Sequence, residues 1–206
     1  MNIWVMLWVF FAVFILGTFM WTVQILLRQK SVWEQFSKRY SLEFSRNALL
    51  KSPSLKGMFR DMYISVFSTE IEENNRSARK YRTVIQFDMK PGVPTEGIIA
   101  SPGYRNFALG LGISRDYVPA APDWNRGILI RCEEPEKLES YLTPERVKAI
   151  NALFSIKNSG AVLIFTPSET FFRFDTADPL DEISRCEKFI TKVVDAAKIL
   201  DPIQTA

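Results

Sequence analysis

The sequence predicts an α+β protein, in which an N-terminal transmembrane helix precedes a soluble domain with an antiparallel sheet covered by helices on one side. Three observations predict it. An apolar run without charge fills residues 3–27, short β-like runs follow it, and amphipathic helical segments cluster in the last third of the chain. Strands that group before helices, instead of alternating with them, are typical of this class.

The apolar run of residues 3–27 is long enough to cross a membrane, because roughly 20 apolar residues span the hydrocarbon core. A cleavable signal peptide, the alternative, has a basic start, a shorter apolar stretch and a small-residue cleavage site. The sequence shows none of these three features. We therefore assign residues 1–30 to a membrane anchor.

Aromatic and basic side chains mark the ends of this anchor. Tryptophan favours the headgroup level of a bilayer, and Trp4 and Trp8 lie near one end and Trp21 near the other. Ordinary apolar packing is the alternative explanation for them. Basic residues follow the run and none precedes it, which predicts an outer N-terminus and a cytoplasmic domain. The basic residues of this flank are Arg28, Lys30, Lys38 and Arg39.

A juxtamembrane amphipathic helix is predicted over residues 31–40. The stretch SVWE, beginning at Ser31, has the spacing of a capping box. Trp33, Phe36 and Tyr40 fall on one helical face. The helix could instead continue the anchor without a break. Its apolar stripe either packs on the domain or faces lipid, and Trp33 and Phe36 are candidate partner contacts.

The soluble domain, residues 41–206, begins with short runs of β-like composition, and Arg60-Asp61 forms a tight turn between two of them. A basic cluster in the polar connection that follows could contact lipid headgroups or an acidic partner, although a solvated loop explains it as well. This cluster consists of Arg76, Arg79, Lys80 and Arg82. The predicted strands cover residues 41–45, 54–59, 62–71, 81–89 and 97–101.

A long loop rich in Gly and Pro is predicted over residues 91–127. Loops of this length often carry function, so its aromatic side chains are the candidate partner surface. The stretch GLGIS lacks the full G-x-G-x-x-G pattern and a surrounding βαβ unit, so it predicts no nucleotide site. The aromatic residues are Tyr104, Phe107, Tyr117 and Trp124.

The last third of the chain is the most clearly patterned part, and the predicted helices cluster there. Thr143 and Pro144 have the residue types of an N-cap and a first helical position. Asp178-Pro179 is predicted to open a final helix that covers one face of the sheet. The predicted strands cover residues 127–133, 161–166 and 170–175, and the helices begin near residues 135, 144 and 178.

No reaction is indicated by the side chains present. Histidine is absent, which removes the commonest general base and most zinc sites. Cys132 and Cys186 are far apart and lie at apolar positions, so they are interpreted as buried hydrophobes. We predict no cofactor and no metal, and we favour a non-enzymatic protein over an enzyme.

Short motifs occur along most of the soluble part: the Trp-led segment VWEQFSKRYSLEF, the strands LKGMF and MYISVF, the strand YRTVIQFDM and the helix start YLTPERVKAINAL. Their order resembles that of uncharacterised bacterial single-pass inner-membrane proteins with a cytoplasmic α+β domain. The resemblance implies an inner-membrane location and the same domain. It brings no catalytic residues and no established activity.

The net charge of +3 is small, and much of the basic surplus lies beside the anchor and in the connection after residue 71. This distribution favours anionic headgroups over nucleic acid. We expect a membrane-anchored, non-enzymatic interaction or assembly protein that contacts the bilayer and other membrane proteins, with self-association left open. The alternative is a membrane-bound enzyme or lipid-binding protein acting on a lipid or cell-envelope intermediate.

Overall fold

A single long helix, α1, forms the N-terminal element of the computed structural model, which describes residues 3–47, 51–71 and 80–201. α1 covers Ile3–Tyr40, 38 residues, which corresponds to about 57 Å of helix. It passes through residue 31 without a break, so the predicted capping box is wrong. Glu34 instead pairs with Lys38 one turn later, at 2.8 Å. The juxtamembrane segment is thus a continuation of the apolar helix.

The N-terminal half of α1 makes no packed contact with the domain. Residues 3–20 are all exposed, although the most apolar 18-residue window of the helix has a mean hydropathy of 2.4. α1 is the one described helix long and apolar enough to cross a membrane, and a signal sequence has the same character. The structure therefore agrees with an apolar N-terminal helix suited to membrane anchoring.

Nine strands of the described chain form one open sheet in the order β1-β2-β3-β4-β9-β8-β5-β7-β6. Every adjacent pair is antiparallel, which confirms the predicted sheet type. The strands are β1 Glu43–Ser45, β2 Ser54–Phe59, β3 Met62–Ile71, β4 Lys80–Met89, β5 Gly97–Ala100, β6 Arg115–Tyr117, β7 Leu129–Cys132, β8 Ser159–Phe165 and β9 Thr170–Thr176.

The turn between β2 and β3 has the predicted two residues. Arg60 and Asp61 have φ values of 51° and 65°, the left-handed conformation that a type I′ hairpin turn requires at both positions. Because this turn fixes the register, Phe59 lies opposite Met62 and Leu55 opposite Val66. All four side chains are buried on the same face of the sheet.

Helices α3 and α4 follow β7 along the chain, and α5 follows β9. The 3-10 turn and α2, which precede them, were not predicted. Thr143 caps α4 by accepting a hydrogen bond from the Arg146 amide, as predicted. The segments are a 3-10 turn at Pro102–Tyr104, α2 at Arg105–Gly110, α3 at Pro135–Tyr141, α4 at Pro144–Phe154 and α5 at Ile183–Leu200.

The start of the final helix differs from the prediction. α5 begins at Ile183, with Glu182 as the N-cap, and not at Asp178-Pro179. The Asp178 carboxylate accepts a hydrogen bond from the Leu180 amide at 3.0 Å, and Leu180 has a φ of 52°. These residues therefore form a turn that a helix cannot include.

The main core lies between one face of the sheet and the helices α1, α3, α4 and α5. Alternate residues of each strand supply it, among them Ile85 and Phe87 of β4 and Phe172 and Phe174 of β9. A smaller core lies on the opposite face, where α2 covers β5, β7 and β8 through Ala108. Helices therefore cover one whole face and only part of the other.

Candidate functional site

The described chain has three surfaces that could carry function: the junction between α1 and the domain, a polar cluster on the second face of the sheet, and an apolar patch on α2. The junction is formed on one face of α1. Along α1, the side facing the domain carries Thr22, Leu26, Gln29, Trp33 and Phe36, spaced alternately by four and three residues. This spacing places them on one helical face.

Hydrogen bonds fix α1 to the turn that precedes α5. The Gln29 side-chain amide donates to the Pro179 carbonyl at 2.8 Å and to the Ser68 hydroxyl at 3.3 Å. One turn further on, the Trp33 indole donates to the Leu180 carbonyl at 3.2 Å. These bonds need the unusual backbone of the turn, because it aims two successive carbonyls at the helix.

The last turns of α1 are enclosed by the domain. Phe36 is fully buried, and its ring lies 5.5 Å from that of Phe59 between centroids. Arg39 forms an ion pair with Glu187 of α5 at 2.5 Å, and the Tyr40 hydroxyl donates to the same carboxylate at 3.3 Å. The helix is thus an integral part of the core and not a tether ending in a flexible linker.

Further toward the N-terminus, α1 and the domain diverge and enclose an apolar groove of about 240 Å³. Phe19, Thr22 and Leu26 form the helix side of this groove, and Tyr81, with the segment at Pro179, forms the domain side. Polar side chains, Gln29, Ser68 and Thr83, line it as well. Gln29 and Ser68 are bonded to each other, and Thr83 donates to the Asp178 carbonyl.

On the second face of the sheet, Arg82, Asp175 and Tyr104 form a polar cluster. The Arg82 guanidinium pairs with the Asp175 carboxylate and donates to the Asn158 carbonyl at 2.9 Å. The Tyr104 ring packs on Gly160, where an added Cβ would lie 2.7 Å from the ring and 2.6 Å from the Asp175 carboxylate. Glycine at position 160 therefore lets the ring approach the strand.

The chemistry of this cluster is that of a closed structural contact. Burial and, secondly, the Asp175 carboxylate raise the pKa of Tyr104 far above its ordinary value of 10.0, so its hydroxyl remains protonated. Asp175 is 1 % exposed and is held by Arg82. The cluster fastens the 3-10 turn to the sheet and offers no accessible base.

The apolar patch on α2 is exposed to solvent. Phe107, Leu109 and Leu111 are 48 %, 46 % and 42 % exposed, and Val118, after β6, is 70 % exposed. The Phe107 ring meets the edge of Tyr104 at 6.2 Å between centroids. α2 buries Ala108 against the sheet, so the larger apolar residues of this short helix project outward.

The residues predicted at the membrane interface are distributed over two environments. Trp4, Trp8 and Trp21 are 65 %, 74 % and 68 % exposed. Arg28, Lys38 and Arg39 are also exposed, but Lys30 is buried to 3 % exposure. The side chain of Lys30 therefore belongs to the junction and not to the surface that would meet headgroups.

Most of the predicted partner contacts lie inside the domain. Trp33, Phe36 and Trp124 are buried in the main core, and Tyr117 is half-buried against it. Tyr104 is half-buried in the polar cluster, which leaves Phe107 as the exposed member of the predicted set. The apolar stripe of residues 31–40 thus packs on the domain, one of the two predicted arrangements.

The predicted basic cluster does not lie wholly on an exposed loop. Arg82 is in β4 and engages Asp175, so it is not a free headgroup contact. Lys80 begins β4, and Arg76 and Arg79 lie outside the described residues.

Both cysteines are buried, as predicted, and neither forms a disulfide. Within the described residues, no group of three or more His, Cys, Asp or Glu side chains is arranged to hold a metal ion.

Gln29 and Asp175 are the important junction and cluster residues that the prediction missed. The sequence signal that could have identified Gln29 is its position as a polar residue between Leu26 and Trp33 on the domain-facing side of α1. Asp175 gave no signal, because its pairing with Arg82 depends on β4 lying beside β9.

Comparison of the chain with models of protein families, with curated proteins and with solved structures gave no match. The resemblance in short motifs described above therefore has no support beyond those motifs, and the fold and the junction are the observations on which a function can be built.

Proposed function

We propose that this protein is a membrane-anchored, non-enzymatic interaction module that holds its α+β domain against the bilayer and binds another membrane protein there. One observation carries the proposal: the helix suited to spanning the membrane is continuous with a core helix of the domain. Because α1 has no flexible segment between residues 3 and 40, the domain would keep one distance and one orientation to the membrane.

The rigid connection supports an interaction role in physical terms. Confinement to a thin layer raises the effective concentration of a domain for partners in the same layer. A fixed orientation adds to this effect. It presents the binding surface of the domain at a constant distance from the membrane, so a partner at the same distance can bind without the domain reorienting. The bonds of Gln29 and Trp33 to the turn before α5 would maintain that orientation.

The partner surface we propose is the α2 patch, Phe107, Leu109 and Leu111, and the occupant is a second, different membrane-anchored protein with an apolar face. Contiguous exposed apolar groups are typical of interaction sites, and Phe107 and Leu111, four residues apart, lie on one side of α2 and its C-cap. An enzyme is not favoured, because the Asp175 carboxylate beside Tyr104 is buried and paired with Arg82.

The location we propose is the bacterial inner membrane, with the N-terminus outside and the domain in the cytoplasm. Basic residues close to the span remain on the cytoplasmic side, and Arg28, Lys38 and Arg39 are exposed after the apolar run while no basic residue precedes it. Retention of the helix is supported by its packing, since Trp33 and Phe36 make its continuation part of the core.

Site-specific photocrosslinking in native membranes tests the interaction. A photoreactive phenylalanine analogue replaces Phe107 in the full chain, and the control replaces Tyr63 of β3, which has a similar exposure, 46 % against 48 %. We expect a crosslinked species of defined mass at position 107 that is absent at position 63. A chain that crosslinks to nothing at position 107 and purifies in mild detergent as a monomer without a partner contradicts the proposal.

A further inference from the structure

We propose that the groove between α1 and the domain holds one acyl chain of a bilayer phospholipid. The proposal rests on the membrane anchoring described above and adds a ligand and a site to it. The helix side of the groove is mainly apolar: it consists of Phe19, Val23, Ile25 and Leu26, with Thr22 and Gln29 as its polar members. Its volume, about 240 Å³, lies below the range of pockets for drug-sized ligands, which suits a single chain better than a whole lipid.

The position of the groove along α1 places it at the membrane boundary. Residues 3–20 are exposed on every side, and they extend about 26 Å along the helix, close to the hydrocarbon thickness. From Val23 onward the helix begins to be covered by the domain. The lipid-embedded part would therefore end near Trp21, and Thr22, Val23, Ile25 and Leu26 line the groove between the helix and the domain.

The groove is also open toward the bilayer. Phe19 is the first residue of α1 that lines it, and every described residue before Phe19 is exposed. No described part of the domain therefore closes the groove at its N-terminal end. The apolar surface of the groove continues directly into the apolar surface of α1 that would contact lipid.

Physical reasoning favours an acyl chain over water as the occupant. Water is stable in a cavity only where two to four polar partners surround it. Of the polar side chains that line the groove, Thr22, Gln29, Ser68 and Thr83 already form hydrogen bonds within the protein. An empty groove would forfeit dispersion contacts along both walls, whereas a neighbouring lipid can supply them without leaving the bilayer.

The experiment uses the full chain in vesicles of phosphatidylcholine and phosphatidylglycerol with a trace of phospholipid that carries a photoreactive group at the end of one acyl chain. After illumination, adducts are mapped by mass spectrometry. We expect adducts on residues 3–21 and also on the domain wall, at Tyr81, Ala177 and Pro179, which line the groove.

Two substitutions of the same kind provide the variant and its control. Thr22→Phe places a ring in the groove and should reduce the domain-wall adducts at least fivefold. Thr18→Phe, one turn closer to the N-terminus and outside the groove lining, should leave them unchanged. Both threonines donate to backbone carbonyls of α1 at 2.9 Å, so the two substitutions remove equivalent bonds.

The outcomes separate this proposal from the anchoring on which it rests. Adducts on residues 3–21 with none on the domain wall overturn the acyl-chain site and leave the anchor intact. Absence of adducts at both places overturns the anchor as well. Domain-wall adducts that persist equally in Thr22→Phe and Thr18→Phe show lipid contact outside the groove and also overturn the proposal.

Discussion

Gly97 is the position in β5 where a single methyl group has the clearest cost. A Cβ there would lie 2.6 Å from the Arg131 carbonyl of β7 and 2.7 Å from the Phe165 ring. Because a backbone atom is one of the two obstacles, Gly97→Ala must shift the pairing of β5 with β7. We expect it to lower the free energy of unfolding by about 1–3 kcal/mol, measured by thermal unfolding of the full chain in detergent.

Gly103, in the 3-10 turn, is the matched control for Gly97. A Cβ at this position would meet no atom within 4 Å, so Gly103→Ala should change the free energy of unfolding by no more than about 0.5 kcal/mol. Equal losses in the two variants would mean that the close approach at β5 is not what constrains position 97.

Cys186 gives a prediction about alkaline stability. Burial, with a smaller contribution from Glu187, raises the pKa of its thiol from 9.0 to about 12. Between these values the folded chain keeps the thiol proton and the unfolded chain releases it, so stability contributed by the buried thiol is complete below pH 9 and is lost as the pH rises to about 12. Cys186→Ala should therefore lose stability less steeply over this interval in denaturation series at fixed pH steps. Parallel slopes for the two chains would contradict the assignment.

Substitutions at Trp33 test whether helix α1 is part of the core. Its side chain is fully buried, and its indole nitrogen donates to the Leu180 carbonyl. Trp33→Ala should destabilise the full chain by about 3–5 kcal/mol, and Trp33→Phe, which keeps most of the apolar volume, by about 1–3 kcal/mol through the unpaired carbonyl. Thermal unfolding and limited proteolysis in the same detergent measure both.

Trp8 is the control for that substitution, because it lies on the same helix and is 74 % exposed. Trp8→Ala removes the same side chain and should leave the melting temperature nearly unchanged. If Trp8→Ala and Trp33→Ala melted alike, α1 would contribute to stability only through its helical propensity and not through its packing.

Several elements were predictable because local pattern and tertiary environment agree. β2 and β3 alternate between buried and exposed residues, and their two-residue turn fixes the register.

α5 was placed too early because Asp178 and Pro179 have the composition of a helix start, while Leu180 adopts a left-handed backbone conformation. The continuity of α1 was visible in the sequence. Thr22, Leu26, Gln29 and Trp33 have a helical spacing that continues past the end of the apolar run, so they lie on one face of a single helix.

The candidate site was less predictable than the fold, for a physical reason. The groove needs α1, β4 and the turn before α5 at one place, and no local sequence pattern reports contacts between such distant segments. Aromatic content suggested a partner surface in residues 103–126, yet Trp124 is buried. Only the structure separates aromatic residues that fill the core from Phe107, which remains exposed.

At the scale of the whole molecule, α1 runs from its exposed apolar segment into the core of the domain without a break. The same helix that would end its lipid contact near Trp21 packs one face into the core from Gln29 onward. Orientation across the membrane therefore determines on which side the sheet and the α2 patch are presented. Topology is for this reason the property that most constrains which partners can reach the protein.

Thiol labelling can determine this topology, because both natural cysteines are buried. Asn2→Cys places one thiol before the apolar run of residues 3–27, and Ser140→Cys, at an exposed position of α3, places one in the domain. With a membrane-impermeant maleimide added to intact bacterial spheroplasts, we expect rapid labelling of the first variant and labelling of the second only after permeabilisation. The natural chain, treated in the same way, supplies the background from Cys132 and Cys186. Labelling of Ser140→Cys before permeabilisation would reverse the proposed orientation, and with it the compartment in which a partner for the α2 patch must be sought.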